Sequence, residues 1–298
     1  MTGSELTDLI SDNIASFPNT APRTPEPEGG ERRSYRTIWI SDVHLGTKGC
    51  NADMLIDFLD RTDSETMYLV GDIIDGWRLK KNWFWPPAHN DLVQVMLSRV
   101  RNGTKVVFMP GNHDEFARNH LGQNFGGIEI VDDAIHTGPD GKRYLIIHGD
   151  QFDAVVTHAR WLAQLGDWAY RATQAINARI SAVRRAMGQP YWSFSAWAKH
   201  KVKKAVNFIS SFEKTLADEA RRRGANGVVC GHIHHATIRE MQGVTYMNCG
   251  DWVESCTALA EDHDGSFRII AWRQERISAG HDTKVTTIGS RSADQAAA

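Results

Sequence analysis

The sequence predicts an α/β sandwich with a helical insertion, and three observations carry that reading. Short, uniformly apolar runs rich in β-formers alternate with helical stretches. Polar fragments rich in Asp and His begin where those runs stop. One long interval of helical periodicity then breaks the alternation. A chain of 298 residues has ample length to bury such a core.

Taken in order, residues 1–34 hold Pro18, Pro22, Pro25 and Pro27 with the pair Gly29-Gly30, and are expected to form a flexible leader. Candidate strands follow at Thr37–Ile40, Met67–Val70, Val106–Met109, Ile128–Val131 and Tyr144–Ile147, with candidate helices at Ala52–Asp60 and Asn90–Arg101. Strands this short and apolar fit sheets buried on both faces. Residues Ala154–Met187 and Ser195–Arg223 repeat apolar side chains at helical spacing on either side of Gly188-Gln189-Pro190. They predict an insertion over 154–223, standing beside the rim where the motifs gather. Strands resume at Val228–Cys230, Val244–Met247 and Phe267–Trp272, closing a domain over 35–278 before a loose polar tail over 279–298.

Composition narrows the function classes. No apolar run approaches the roughly 20 residues of a spanning helix, and Met1 to Ser11 lack the basic start and apolar core of a secretory signal. Cys50, Cys230, Cys249 and Cys256 are scattered without metal or disulfide spacing, as expected of reduced packing residues in a cytoplasmic protein.

Five fragments carry the chemistry: Asp42-Val43-His44, Gly71-Asp72-Ile73-Ile74-Asp75, Gly111-Asn112-His113-Asp114, His148-Gly149-Asp150 and Gly231-His232-Ile233-His234. All follow candidate strands, and in α/β folds the loops at strand carboxyl ends build ligand sites. Two metals about 3.5–4 Å apart need a bridging ligand, and Asp72 is placed for it directly after the turn that Gly71 permits. Asp42 and His44 stand at i and i+2 after a strand, so both can face one way from an extended segment; His232 and His234 repeat the arrangement. Asn112 offers a neutral amide oxygen and His148 an imidazole. Carboxylate and imidazole donors without thiolate fit two divalent ions, with Mn²⁺ as the expectation and Fe²⁺ or Zn²⁺ as alternatives. His113 is positioned to protonate a leaving oxygen or stabilise phosphoryl charge, with Asp114 fixing its orientation. Asp75 either orients a ligand or caps a turn.

This arrangement resembles the calcineurin-like metallophosphoesterases, whose D-x-H, G-D-x-x-D, G-N-H-D/E, H and G-H-x-H elements all stand here between Asp42 and His234. The resemblance implies a sandwich of two mixed sheets flanked by helices. It implies one metal on Asp42, His44, Asp72 and His234, and a second on Asp72, Asn112, His148 and His232. The segment Tyr68–Trp77, the loop Trp83–Pro87, the insertion and Asn248–Trp252 look like the UDP-2,3-diacylglucosamine pyrophosphatase family. Cleavage of that lipid A precursor to UMP and 2,3-diacylglucosamine 1-phosphate is the activity this implies. One departure stands out: the best-known branch of that family carries Arg where this chain has His113.

The insertion adds its own signal. Over Ala154–Ala217 ten Lys and Arg face only Asp167 and Glu213, on a chain of net charge −2, and nine aromatic residues are interleaved with them. Such a surface suits an anionic membrane face or a nucleotide-lipid pyrophosphate, and places the protein at the cytoplasmic side of the membrane. Helix packing accounts for many of the aromatics but less well for the one-sided charge. No nucleic-acid motif is present, and no obligate protein partner is expected. A soluble nucleotide phosphodiester is the competing substrate class, and a scaffold without turnover the competing non-enzymatic one; intact ligand motifs argue against the scaffold.

Overall fold

The computed structural model describes residues 32–155 and 209–279. The expected leader and tail, and residues 156–208 of the expected insertion, lie outside the described residues.

Twelve strands form two mixed sheets among the described residues. The first holds β1 (Arg33–Ile40), β2 (Thr62–Val70), β3 (Lys105–Met109), β4 (Asn124–Phe125), β5 (Ile128–Ile130), β11 (Thr257–Glu261) and β12 (Phe267–Ala271). Its order is β12-β11-β1-β2-β3-β5-β4, with β1, β2, β3 and β5 parallel. The second holds β6 (Ala134–Thr137), β7 (Arg143–Ile146), β8 (Gly227–Cys230), β9 (Thr237–Met241) and β10 (Val244–Asn248), in the order β6-β7-β8-β10-β9. Helices α1 (Ala52–Asp60), α2 (Gly76–Lys81), α3 (Pro87–Arg101), α4 (209–222) and α5 (Trp272–Ser278), with two short 3-10 helices at Glu115–His120 and Asp150–Val155, complete the described elements.

Alternation along each central strand builds a four-layer sandwich. Ile38 and Ile40 of β1 point to an outer core with Leu55, Phe58 and Leu59 of α1 and Leu92, Val95 and Met96 of α3. Trp39, between them, points into the inter-sheet core with Tyr68, Met109, Ile146, Val229 and Leu259. On the far side Leu145 and Ile147 meet Phe212, Leu216, Ala217 and Ala220 of α4. Central strands are therefore apolar on both faces, as the sequence predicts.

Register sets the level of the site. Ile40 lies opposite Leu69 and Val70 opposite Met109, so β1, β2 and β3 end together. In the second sheet Ile146 lies opposite Val229 and Cys230 opposite Asn248. The loops continue in step beyond the strands: Asp42 N donates to Gly71 O (3.0 Å) and His44 N to Asp72 O (2.9 Å). Trp252 N donates to Asp42 O (3.0 Å), tying the loop after β10 to the loop after β1 and so joining the sheets at the rim.

The eight predicted strands are present, but β4, β6, β9 and β11 were not expected. Trp272 opens α5 rather than closing β12. Two histidines outside the motifs, His89 and His136, are buried. His89 Nδ1 accepts from Gly46 N (3.2 Å), and His136 Nε2 lies 2.9 Å from Glu261 Oε2. All four cysteines are free, and Cys230, Cys249 and Cys256 are buried packing residues. No helix among the described residues is long and apolar enough to cross a membrane.

Candidate metal centre

The five fragments converge on one rim. Three groups of side chains bring a nitrogen or oxygen atom each to within 4.8 Å of one another: Asp42, His44 and His234; His44, Asp72 and His113; Asp72, His148 and His232. Asp72 belongs to the second and third of them and His44 to the first and second, so the three groups run on from one another with Asp72 shared as a bridging carboxylate would be.

The side chains converge by a different device from the one expected. Asp42, His44, Asp72, His232 and His234 all have positive φ, between +53° and +71°. The extended i, i+2 arrangement is therefore replaced by left-handed kinks. Asp and His tolerate that region better than most residues, yet each such position costs on the order of 1–3 kcal/mol. Only Gln242 and Cys256 share it among the other described non-glycine residues, so the strain is concentrated at the rim. Glycines make room: a Cβ on Gly111 would stand 2.5 Å from Asp72 Oδ1 and 2.6 Å from His148 Nε2, and one on Gly231 2.6 Å from Asp42 Oδ2.

Hydrogen bonds aim the donors. His148 Nδ1 donates to Val70 O (2.8 Å), which leaves Nε2 facing Asp72 Oδ1 at 3.5 Å. Asp42 Oδ2 accepts from His232 N (2.8 Å), while its Oδ1 stands 3.0 Å from His234 Nε2. Asp72 Oδ1 accepts from His113 N (2.8 Å). Among the described residues, the buried atoms Asn112 Oδ1 and His148 Nε2 have no hydrogen-bond partner. Buried polar atoms are ordinarily satisfied. Orphaned donors facing a cluster of carboxylates are what a divalent cation would complete, so the residues present fit two metals.

Electrostatics agree. Burial works against a charged His148, but the Asp72 carboxylate outweighs it and lifts the pKa to about 10. Burial likewise opposes charge on His44, whose contacts with Asp42 and Asp75 raise it to about 9. Burial alone would raise Asp42, yet the imidazole of His234 holds its carboxyl well below the ordinary range. Both raised histidines carry protons at neutral pH without metal, and a metal binds only neutral imidazole. Loading must therefore displace those protons. Apparent metal affinity is expected to climb about tenfold per pH unit per displaced proton between pH 6 and 8. Titration of the apoprotein with Mn²⁺ by calorimetry in two buffers of different ionisation heat checks the sign and the proton count.

Asp114 does not orient His113, contrary to expectation. Its buried carboxylate accepts from four backbone amides: Gly111 N (2.6 Å) and Asp72 N (3.3 Å) at Oδ1, and Ile73 N (2.7 Å) and Ile74 N (3.2 Å) at Oδ2. It knots the loop after β3 to the loop after β2. Burial, reinforced by the nearby Asp72 charge, pushes its pKa up to about 7. The carboxylate on His113 belongs to Asp75, whose Oδ2 lies 2.9 Å from His113 Nδ1 and 3.4 Å from His44 Nδ1. Its Oδ1 accepts from Arg78 N (2.9 Å) and caps α2. Both readings of Asp75 are thus met by one side chain.

Sequence reasoning missed several supports. Trp77 packs on His113 with ring centroids 4.4 Å apart and donates its Nε1–H to Glu115 (3.2 Å). Arg118 donates to both oxygens of Asp150 (3.0 and 2.8 Å) and to Pro110 O (3.1 Å), bracing the loop after β3 against the loop after β7. Phe212 of α4 stands 5.9 Å from the His232 ring and above Gly149. The local signals were Trp77, at the end of the segment Tyr68–Trp77, and the helical spacing of Ser195–Arg223, which includes Phe212. Trp85, in the loop Trp83–Pro87, donates to Asn90 Oδ1 (2.7 Å) and packs on α3.

A two-sheet sandwich with a bridged His/Asp cluster at its strand ends defines a metal-dependent phosphoesterase. The calcineurin-like phosphoesterase family profile matches residues 35–236, and the chain belongs to that family. The UDP-2,3-diacylglucosamine hydrolase of Haemophilus influenzae (strain PittGG) is 23% identical over 252 residues, which cover 78% of this chain and 98% of that protein. The hydrolase of the same name from Aliivibrio fischeri (strain MJ11) is 27% identical over 244 residues, 74% of this chain and 92% of that one. Among solved structures, an archaeal phosphodiesterase aligns over 78% of this chain and 98% of its own, at 14% identity and a TM-score of 0.36.

Proposed function

We propose that the protein hydrolyses the pyrophosphate of UDP-2,3-diacylglucosamine, giving UMP and 2,3-diacylglucosamine 1-phosphate at the cytoplasmic membrane face. The observation that carries the reading is the intact donor set within a chain that aligns with nearly the full length of hydrolases named for that substrate. Asp42, His44, Asp72 and His234 would hold one divalent ion, and Asp72, Asn112, His148 and His232 the other. Such a pair supplies Lewis-acid charge and a water-derived nucleophile at neutral pH.

The chain's own residues do the rest. Gly71, Gly111 and Gly231 keep the centre open, and Asp114 fixes the loop that presents Asn112 and His113. His113 faces the phosphoryl position through Nε2 while Asp75 holds its Nδ1. The basic and aromatic insertion would face the anionic lipid; its residues 156–208 lie outside the described part. The exposed Trp77 beside His113 offers a face on which a nucleotide's base, uracil included, can stack.

The test is hydrolysis of UDP-2,3-diacylglucosamine by Mn²⁺-loaded protein in detergent, followed by chromatography of nucleotide and lipid products. UMP and lipid monophosphate, made by the wild type and lost in Asp72→Asn, are expected. Metal-dependent cleavage of bis(p-nitrophenyl) phosphate with an untouched lipid substrate would discard the lipid assignment and keep the metal centre.

A further inference from the structure

We propose that α2 and the loop after it, together with Lys48, form a docking surface for an anionic phospholipid bilayer beside the metal rim. The proposal rests on the membrane-face reading above, and it places the contact outside both the insertion and the donor set.

Residues 76–90 hold no carboxylate and carry Arg78, Lys80 and Lys81, on a chain of net charge −2. In α2 the Leu79 side chain faces inward, while Trp77, Arg78, Lys80 and Lys81 fill the exposed arc opposite it. Leu79 seats the helix on the loop after β1, where a Cβ on Gly46 would stand 2.7 Å from its Cγ. That loop brings in a fourth exposed cation, Lys48, whose Nζ lies 6.0 Å from the Phe84 ring centroid. None of the four forms an ion pair among the described residues, whereas Arg36, Arg61, Arg99, Arg118 and Arg223 each do. Glu115 stands at the border, where it accepts from Trp77 Nε1. Trp77 and Trp83, the two exposed tryptophans among the described residues, both belong to this surface. Trp83 stacks on Trp85 with ring centroids 6.1 Å apart, and Trp85 is anchored by Asn90 and the core, so the outer ring stands on a fixed base.

Three features select a bilayer. Indole rings among unpaired Lys and Arg match the headgroup layer of an anionic membrane, where the rings settle at the acyl boundary and the cations meet lipid phosphates. The surface is built from a helix and loops, with no strand on which an extended peptide could pair. Its position also serves the chemistry. Asp75 caps α2 through Arg78 N with one oxygen and reaches His113 and His44 with the other, and the Trp77 and His113 ring centroids lie 4.4 Å apart. A bilayer that receives α2 therefore stands at the rim where a membrane-borne phosphoester must enter.

The experiment combines Lys48→Gln, Lys80→Gln and Lys81→Gln in one variant and makes Trp83→Ser as a second. All four positions are exposed and none belongs to the donor set. Sedimentation of the metal-loaded full chain with vesicles of phosphatidylglycerol and phosphatidylcholine is compared with phosphatidylcholine alone, at about 50 and about 500 mM NaCl. The wild type is expected to bind only the anionic vesicles and to leave them at high salt. Each cation near such a surface changes partitioning roughly fivefold, so the triple variant should bind about 100-fold more weakly. Trp83→Ser should lose about tenfold, and it carries the test if the triple variant fails to fold. Hydrolysis of bis(p-nitrophenyl) phosphate should stay at the wild-type rate in both, which reports folding and metal loading. Salt-sensitive vesicle binding that the triple variant loses, in a protein that leaves UDP-2,3-diacylglucosamine intact, keeps the docking surface and discards the substrate reading. A wild type that binds no anionic vesicle would overturn the proposal. So would a triple variant that binds as tightly as wild type, since the contact would then lie elsewhere on the chain. Binding of a single-stranded oligonucleotide that the triple variant loses, without any vesicle binding, would assign the surface to nucleic acid instead.

Discussion

Asp72→Asn is expected to cut phosphoester hydrolysis by at least about 10³-fold and to reduce bound metal from two ions toward one or none. The size follows from the position of the residue. Its oxygens lie 3.5 Å from His148 Nε2 and 3.8 Å from His44 Nε2, in the two groups it joins. Losing a few kcal/mol of charge stabilisation for each ion at the reacting centre corresponds to that rate loss. Asn is the informative substitution because it isolates charge from shape. It tolerates the left-handed φ of +55° that this position demands, and it keeps an oxygen for the His113 amide. Alanine would confound the result with backbone strain. Metal content by plasma mass spectrometry, circular dichroism and hydrolysis of bis(p-nitrophenyl) phosphate are the readouts. A folded Asp72→Asn protein that retains two ions and more than a tenth of wild-type activity would remove Asp72 from its bridging place.

The donors were legible in the sequence because each follows within a few residues a strand whose apolar run is unmistakable, so strand ends and ligands were found together. What was not legible depends on distant pairing. The strand β11, Thr-Ala-Leu-Ala-Glu, has two alanines and ends in Glu261, and reads as no β-former; it is a strand because β1 and β12 lie on either side of it. Glu261 is buried there because Arg36, Thr37 and His136 surround its carboxylate, contacts that span about a hundred residues or more. The edge strand β9 is mostly exposed and carries no apolar pattern. The same limit explains the exchange of roles between Asp75 and Asp114. Adjacency in Gly-Asn-His-Asp favours Asp114 as the partner of His113, whereas the chain turns its carboxylate onto four amides and brings Asp75 in from another loop.

His113→Ala is expected to lower kcat by about 10²–10⁴-fold while leaving two ions bound, because the proposed ligand sets, which His113 flanks through His44 and Asp72, do not include it. Its Nε2 is 4.0 Å from Asp72 Oδ2, and its ring is held by Asp75, by the edge of His44 at 4.7 Å and by the Trp77 face. Asp75→Asn, which preserves the cap on α2, is expected to lose about 10–100-fold by releasing that ring. The substitution His113→Arg then separates two roles. A pyrophosphate expels a phosphate, which leaves without help from a proton, so His113 would act there by stabilising phosphoryl charge. A guanidinium does the same, and on that substrate His113→Arg should recover activity to within about tenfold of wild type. An alkyl phosphodiester expels a poor leaving group that needs a proton, which Arg cannot give at neutral pH, and His113→Arg should then be as impaired as His113→Ala. Rescue by Arg on the nucleotide pyrophosphate but not on an alkyl diester would identify the leaving group for which this rim is built. Equal failure on both would make proton donation the role of His113 and weigh against the pyrophosphate as substrate.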